Sequence, residues 1–251
     1  MNKKDIIKTQ LTVLKLAALR DILDEALIKA EQDQISYQEL LYELFNHEVK
    51  VRQQKAFKRR FKQSNLNKDK TLENFDFSFQ NSLSQREINQ LLDFEWLEQA
   101  FNLIFLGPPG VGKSHMGHGL GLKAVEAGYK VIFISMDNLI KVLKTKEIIK
   151  KSQTMFKKLK KADLAIIDEF GYLPVSKAEA NLFFQLITDF YEQTSIIITS
   201  NKSFSKWAEV LGDQVITTAI LDRIMHHSEI FNLTGKSYRL ENREKIILKS
   251  E

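Results

Sequence analysis

The sequence predicts an α/β fold, a parallel sheet flanked by helices on both faces, joined to a small all-helical N-terminal domain. Three observations carry that expectation. Short continuous apolar runs at 101–106, 131–134, 164–167 and 196–199 alternate with helix-period segments, the pattern of strands buried on both faces. The first of these runs leads directly into Gly107, Pro108, Pro109, Gly110, Val111, Gly112, Lys113 and Ser114, a full fit to GxxxxGK[ST] in the order strand, tight loop, helix start. The first 106 positions hold neither Gly nor Pro, and Ile7, Leu11 and Leu14 recur at three- and four-residue steps, which is helical periodicity.

Taken in order, residues 3–62 read as helices. The last of them opens with a capping box, Ser36 and Glu39, carries Leu40, Leu41, Leu44 and Phe45 on an apolar stripe, and runs into a basic segment. A linker is placed near 63–70, giving a helical domain over 1–66 and a nucleotide-binding domain over 67–251. Phe75, Phe77 and Phe79 alternate with polar residues and are read as an apolar strap on the second domain, in preference to a base-stacking platform. A second capping box, Ser84 and Glu87, opens a helix to about Ala100. After the 101–106 strand come a helix over 113–127, the 131–134 strand, a helical stretch over 136–161 and the 164–167 strand. A helix from the Ser176/Glu179 capping box through Tyr191, the 196–199 strand, a helical pair over 204–226 and a short strand near 229–233 complete the order. Trp96, Trp207 and the stripe Leu182, Phe183, Leu186, Ile187 and Phe190 are read as core.

Backbone amides of a GxxxxGK[ST] loop cradle phosphates, the Lys113 ammonium reaches the β and γ phosphates, and the Ser114 hydroxyl can ligate Mg²⁺. The 164–167 strand ends in Asp168 and Glu169, placing two carboxylates at the sheet edge where ligands of open α/β sheets bind. Asp168 is read as the Mg²⁺ residue, directly or through water, and Glu169 as the base that takes a proton from water attacking the γ-phosphate. The 196–199 strand ends in Thr199-Ser200-Asn201, where Asn201 is placed to orient that water; a simple turn is the competing reading. Two histidine pairs stand out, His115/His118 and His226/His227. With no cysteine in the chain and a helix that must pack on a sheet, metal ligation by them is not expected.

Composition narrows the classes. The chain has 251 residues, 43% hydrophobic and 27% charged, and no apolar run approaches the roughly 18 residues of a membrane helix. Lys8, Lys15 and Arg20 interrupt the N-terminal apolar residues, so no signal-peptide core is read and a cytoplasmic location is expected. The net charge of +5 is uneven: residues 1–70 hold 15 Lys and Arg against 10 Asp and Glu, and the remainder is balanced. Residues 50–62 carry seven cations and no acid, interleaved with Phe57 and Phe61, and 141–161 carries nine lysines and one acid, Glu147. Such blocks suit a polyanion, nucleic acid in the case of 50–62, and lysines suit sequence-independent phosphate contacts; a solvated charged face is the alternative for both.

GPPGVGKS, LAIIDEFGYLP, TSN and LDRIMHHS together resemble the AAA+ ATPases, specifically the IstB-like transposition helpers and the related DnaC-type helicase loaders. The resemblance covers about 71–242, with the Phe75–Phe79 stretch and Gly171-Tyr172-Leu173-Pro174 favouring IstB. It implies ATP as ligand, subunits that self-assemble on DNA with nucleotide between neighbours, and a separate transposase as partner. It also implies that Arg223 is an arginine finger reaching a neighbour's γ-phosphate, a surface salt bridge to Asp222 or Glu229 being the alternative. Arg239 resembles the family's second sensor arginine, and with His115, next along the helix, it completes the expected nucleotide-binding set. Only 28 residues follow Arg223, so the helical lid of many AAA+ proteins is expected to be reduced or absent. By the resemblance 141–161 faces the central DNA path. A helicase loader is the competing function; a small-molecule kinase would need an acceptor-binding lid that is not found.

Overall fold

The computed structural model describes residues 2–241, which fall into two compact units, one through Arg59 and one from Arg60 onward. The first unit is helical: α1 (Lys3–Val13), α2 (Ala17–Gln32) and most of α3 (Tyr37–Ser64). Leu11, Leu19, Leu23 and Leu44 form its core. One acid is buried there. Glu48 accepts hydrogen bonds from the Leu19 amide at 2.8 Å and from Arg52 Nε at 2.7 Å, and both hold its carboxyl below the ordinary range against the opposing effect of burial. Two of the seven cations of 50–62 are therefore committed to the fold, Arg52 here and Arg60, whose Nε donates to the Val125 carbonyl at 3.4 Å.

The second unit holds a five-stranded parallel sheet in the order β2-β3-β4-β1-β5: β1 (Asn102–Leu106), β2 (Val131–Ser135), β3 (Leu164–Phe170), β4 (Ser195–Ser200) and β5 (Ser228–Asn232). Every residue of β1 and β4 is buried, as continuous apolar strands require. The helices are α4 (Gln85–Gln90), α5 (Glu95–Glu98), α6 (Lys113–Ala127), α7 (Met136–Thr145), α8 (Lys150–Leu159), α9 (Lys177–Phe190), α10 (Trp207–Leu211), α11 (Gln214–His226) and α12 (Tyr238–Glu241). The main core joins β1–β4 with α7, α9, α10 and α11, and includes Phe170, Phe183, Phe190 and a fully buried Trp207. Among the described residues no helix is long and apolar enough to cross a membrane.

Four expected elements take a different form. The helix from Ser84 stops at Gln90, passes through a 3₁₀ turn at Leu91–Asp93, and restarts as α5 after Phe94, whose φ of 62° no α-helix accommodates. Asp93 caps the restart by accepting from the Glu95 amide at 3.1 Å, while the Phe94 ring packs on Tyr129. The 136–161 stretch is two helices: the Thr145 carbonyl accepts from Ile148 and Ile149, and Lys146 lies 4.2 Å over the Phe156 ring across the break. The expected linker at 63–70 is packed into the second unit, with Ser64 and Leu66 buried and the Asn67 amide donating to His118 Nδ1 at 3.2 Å. The aromatic strap is present, but it is made of turns, with Asp76 accepting from the Ser78 and Phe79 amides at 3.0 Å each.

Candidate nucleotide-binding site

Parallel strands carry their C-terminal ends to one sheet edge, so β1, β3 and β4 deliver the loop, the carboxylates and the polar tip to the same place. Position matters most for β4. It lies between β1 and β3, so Thr199 and Asn201 stand beside both the loop and Asp168. The loop itself is sterically specified. Gly112 caps α6 with φ 101°, and a Cβ there would come within 2.5 Å of the Phe75 ring, so the strap rests directly on the phosphate loop. A Cβ on Gly110 would lie 2.0 Å from Ser237 Oγ, and the Tyr238 amide donates to the Gly110 carbonyl at 3.0 Å.

A cleft of about 340 Å³ opens at this edge. Its lining includes Pro109 through His115, Asp168, Glu169, Asn201 and Arg239, so the sequence-predicted set converges except for Gly107 and Pro108, which back the loop, and Arg223. Lys113 is buried, and its Nζ donates to the Gly107 and Pro108 carbonyls at 2.8 Å each. Burial lowers its pKa; Asp168 opposes that shift and the Arg239 charge adds to it. Phosphate oxygens would offset this desolvation.

Asp168 is buried and accepts from Ser114 Oγ at 2.8 Å and from Thr199 Oγ1. Two ligands on adjacent corners of an Mg²⁺ octahedron, each 2.0–2.1 Å from the ion, are about 2.9 Å apart. The Ser114–Asp168 oxygen pair therefore fits Mg²⁺. Glu169 follows with φ 62° at an irregularity in β3–β4 pairing, its amide donating to Thr199 Oγ1 at 3.1 Å and its side chain exposed to the cleft. A non-glycine residue in this conformation is strained by about 1–3 kcal/mol, a cost concentrated at functional sites. Asn201 Oδ1 is buried with no hydrogen-bond partner among the described residues, an unused acceptor at the edge of the cleft.

His115 Nε2 lies 2.7 Å from the Thr71 carbonyl, with its ring edge-on to Phe75, so it holds the strap on α6. His118 is stacked on Phe133 with ring centroids 3.9 Å apart. Arg223 is elsewhere. Its guanidinium lies 4.8 Å from the Phe184 ring centroid and donates to the Ala219 carbonyl at 2.9 Å, and it does not line the cleft of its own chain. Sequence reading missed two members: Thr199 as the hydroxyl joining Asp168 to Glu169, and Tyr238, whose amide ties the C-terminal segment to the loop. Thr199 was legible from its place in the β4 tip; Tyr238 carried no local signal. After β5 the described residues contain a single short helix, α12.

A P-loop on β1, a carboxylate-tipped β3 and a polar-tipped β4 between them make the second unit a AAA+ module. The family described as IstB-like ATP binding protein matches residues 9–246, and the chain belongs to it. An insertion sequence IS21 ATP-binding protein of Pseudomonas aeruginosa is 41% identical over 239 residues, spanning 95% of this chain and 90% of that protein. An insertion sequence IS5376 ATP-binding protein of Geobacillus stearothermophilus is 42% identical over 216 residues, spanning 86% and 85%. Among solved structures, the DnaC helicase loader has a TM-score of 0.51 at 23% identity, covering 59% of this chain and 86% of that one, which is a likeness of fold alone.

Proposed function

We propose that the protein is an ATP-hydrolysing assembly factor that oligomerises on DNA and helps a separate transposase select or capture its target, with hydrolysis timing assembly and release. The observation that carries this reading is the division of the site: Lys113, Ser114, Asp168, Glu169 and Asn201 share one cleft, whereas Arg223 of the same chain lies outside it. A second copy would supply the missing cation. ATP lies with its phosphates along the 107–114 amides, and the Lys113 ammonium turns from the loop carbonyls to the β and γ phosphates. Ser114 and Asp168 would hold Mg²⁺, which when bound would supply charge neutralisation at the phosphate oxygens. Asn201 Oδ1 orients a water, Glu169 takes its proton as the oxygen bonds to the γ phosphorus, and the bridging bond breaks to leave ADP and phosphate. Arg239, within reach of the Lys113 field, senses the nucleotide from the C-terminal side.

DNA phosphates are contacted by the cationic end of α3 and by the lysine-rich face of α8. Lys150, Lys151, Lys157 and Lys161 are exposed there, whereas Lys141, Lys144 and Lys160 are paired with Asp137, Glu179 and Asp189. The relatives above 40% identity are named for insertion sequences, which favours a transposase over a replicative helicase as partner. In this reading the protein acts in the cytoplasm, where a bacterial insertion sequence meets its target DNA.

The direct test is Lys113→Ala. Fluorescent-ATP titration should lose the binding signal in this variant, and light scattering should lose the ATP-dependent growth of DNA-bound assemblies expected of the parent chain. Unchanged nucleotide affinity, or assemblies of one size with and without ATP, overturns the reading.

A further inference from the structure

The turn after α9 and the C-terminal end of α11 bring together two imidazoles and a carboxylate that the nucleotide site does not use. Ligand atoms of Glu192, His226 and His227 all lie within 4.8 Å of one another. His227 Nε2 is 4.0 Å from Glu192 Oε1, and the Tyr191 hydroxyl is 2.9 Å from His226 Nδ1, so a fourth oxygen stands at the edge of the group. A cavity of about 10 Å³, lined by Tyr191, Glu192, Arg223 and His227 among others, opens against it, close to the volume that holds one water-sized species.

We infer that Glu192, His226 and His227 form a binding site for a divalent transition metal of the zinc class, one helical turn beyond Arg223. The donor chemistry selects the metal. Two imidazole nitrogens and one carboxylate suit Zn²⁺, whose four-coordinate sites with three protein ligands keep a fourth position for water. Hard cations such as Mg²⁺ prefer oxygen sets and gain little from imidazole. Donor atoms around tetrahedral Zn²⁺ at 2.0–2.2 Å are about 3.4 Å apart, so this group must close by about 1 Å. Glu192 and His226 are exposed and His227 half-buried, so side-chain rotation achieves this without moving the core.

Glu192 sits at φ 57° just after α9, a position where glycine or asparagine is usual. That conformation turns the chain directly from Phe190, whose carbonyl accepts from the Gln193 and Thr194 amides, into β4. A bound ion would pin this turn to the end of α11. Asn102 already ties that end to the sheet, donating to the Ile224 carbonyl at 2.9 Å while its own Oδ1 accepts from the Ile196 amide at 2.9 Å. Metal occupancy would thus fix the helix that carries Arg223. The site itself rests on none of the ATP chemistry.

The test is a Zn²⁺ titration by calorimetry on the full chain, stripped with chelator and free of nucleotide. The parent chain should bind about one equivalent, His226→Ala/His227→Ala should weaken binding at least tenfold, and Lys113→Ala, altered only at the phosphate loop, should bind as the parent does. Equal binding by the parent and the double-histidine variant, or none by either, overturns the site. Co²⁺ added to the parent provides a readout that needs no variant: visible ligand-field bands of a four-coordinate ion are expected, and the spectrum of aqueous Co²⁺ alone overturns it.

Discussion

Two adjacent carboxylates, Asp168 and Glu169, have opposite environments although one peptide bond joins them. Asp168 is buried and holds two hydroxyl donors, Ser114 and Thr199, which suits a group fixed in place to face a cation. Glu169 is exposed and turned outward by its left-handed backbone, which suits a group that must exchange a proton with solvent. Thr199 enforces the difference, since one hydroxyl donates to Asp168 and accepts from the Glu169 amide. Glu169→Gln keeps the size and backbone of the residue but removes its basicity. ATP affinity should change little and phosphate release should fall by about 10²–10⁴, the usual contribution of a positioned base. Steady-state phosphate release measured beside ATP titration decides it, and turnover at the parent rate removes Glu169 from the reaction.

At the scale of elements, α6 and the segment before it show what a linear reading reaches. The loop, β3 and β4 were legible because each is a local pattern: a glycine loop after an apolar run, or an apolar run ending in polar residues. Breaks were not. Phe94 turns left-handed because its ring finds Tyr129, and the 146–149 break closes over Phe156, contacts that no local periodicity encodes. The sequence offers His226 and His227 as a pair for which metal ligation is not expected; the third member of the proposed group, Glu192, lies 34 residues before His226 and is brought to them only by the fold. His118 is another buried surprise. Burial, with the Lys70 charge adding to it, lowers its pKa from 6.5 to about 4, while Asp168 opposes the shift and His115 adds slightly. The unfolded chain takes up this proton below pH 6.5 and the folded chain only near 4, so the stability His118 allows is complete above 6.5 and falls as pH drops toward 4. The loss is at most about 3 kcal/mol. Thermal unfolding of the parent and of His118→Gln between pH 7.5 and 4.5 should converge as pH falls, because the variant lacks the penalty; parallel curves contradict the burial argument.

For the whole molecule, the question is how charge and copy number combine. If α8 and the basic end of α3 neutralise DNA phosphates, log affinity should fall linearly with log salt, by about 0.9 per duplex phosphate contacted. Filter binding at several salt concentrations measures this slope, and a flat response assigns those lysines to a solvated surface. Arg223 tests the copy number. Glu169→Gln subunits lack the base but keep the finger, and Arg223→Ala subunits keep the base but lack the finger, so each alone should be nearly inactive, the finger by itself accounting for about 10³–10⁵ in rate. In a head-to-tail assembly a neighbour's arginine completes each site. Mixing the two variants in equal amounts should then restore activity at interfaces where an Arg223→Ala subunit receives the arginine of a Glu169→Gln neighbour, about a quarter of them if subunits exchange at random. A subunit carrying both substitutions supplies neither group and should rescue no partner that lacks its finger. Phosphate release across a series of mixing ratios should peak near equal amounts, and a flat line at the level of the separate variants places Arg223 outside the neighbour's site.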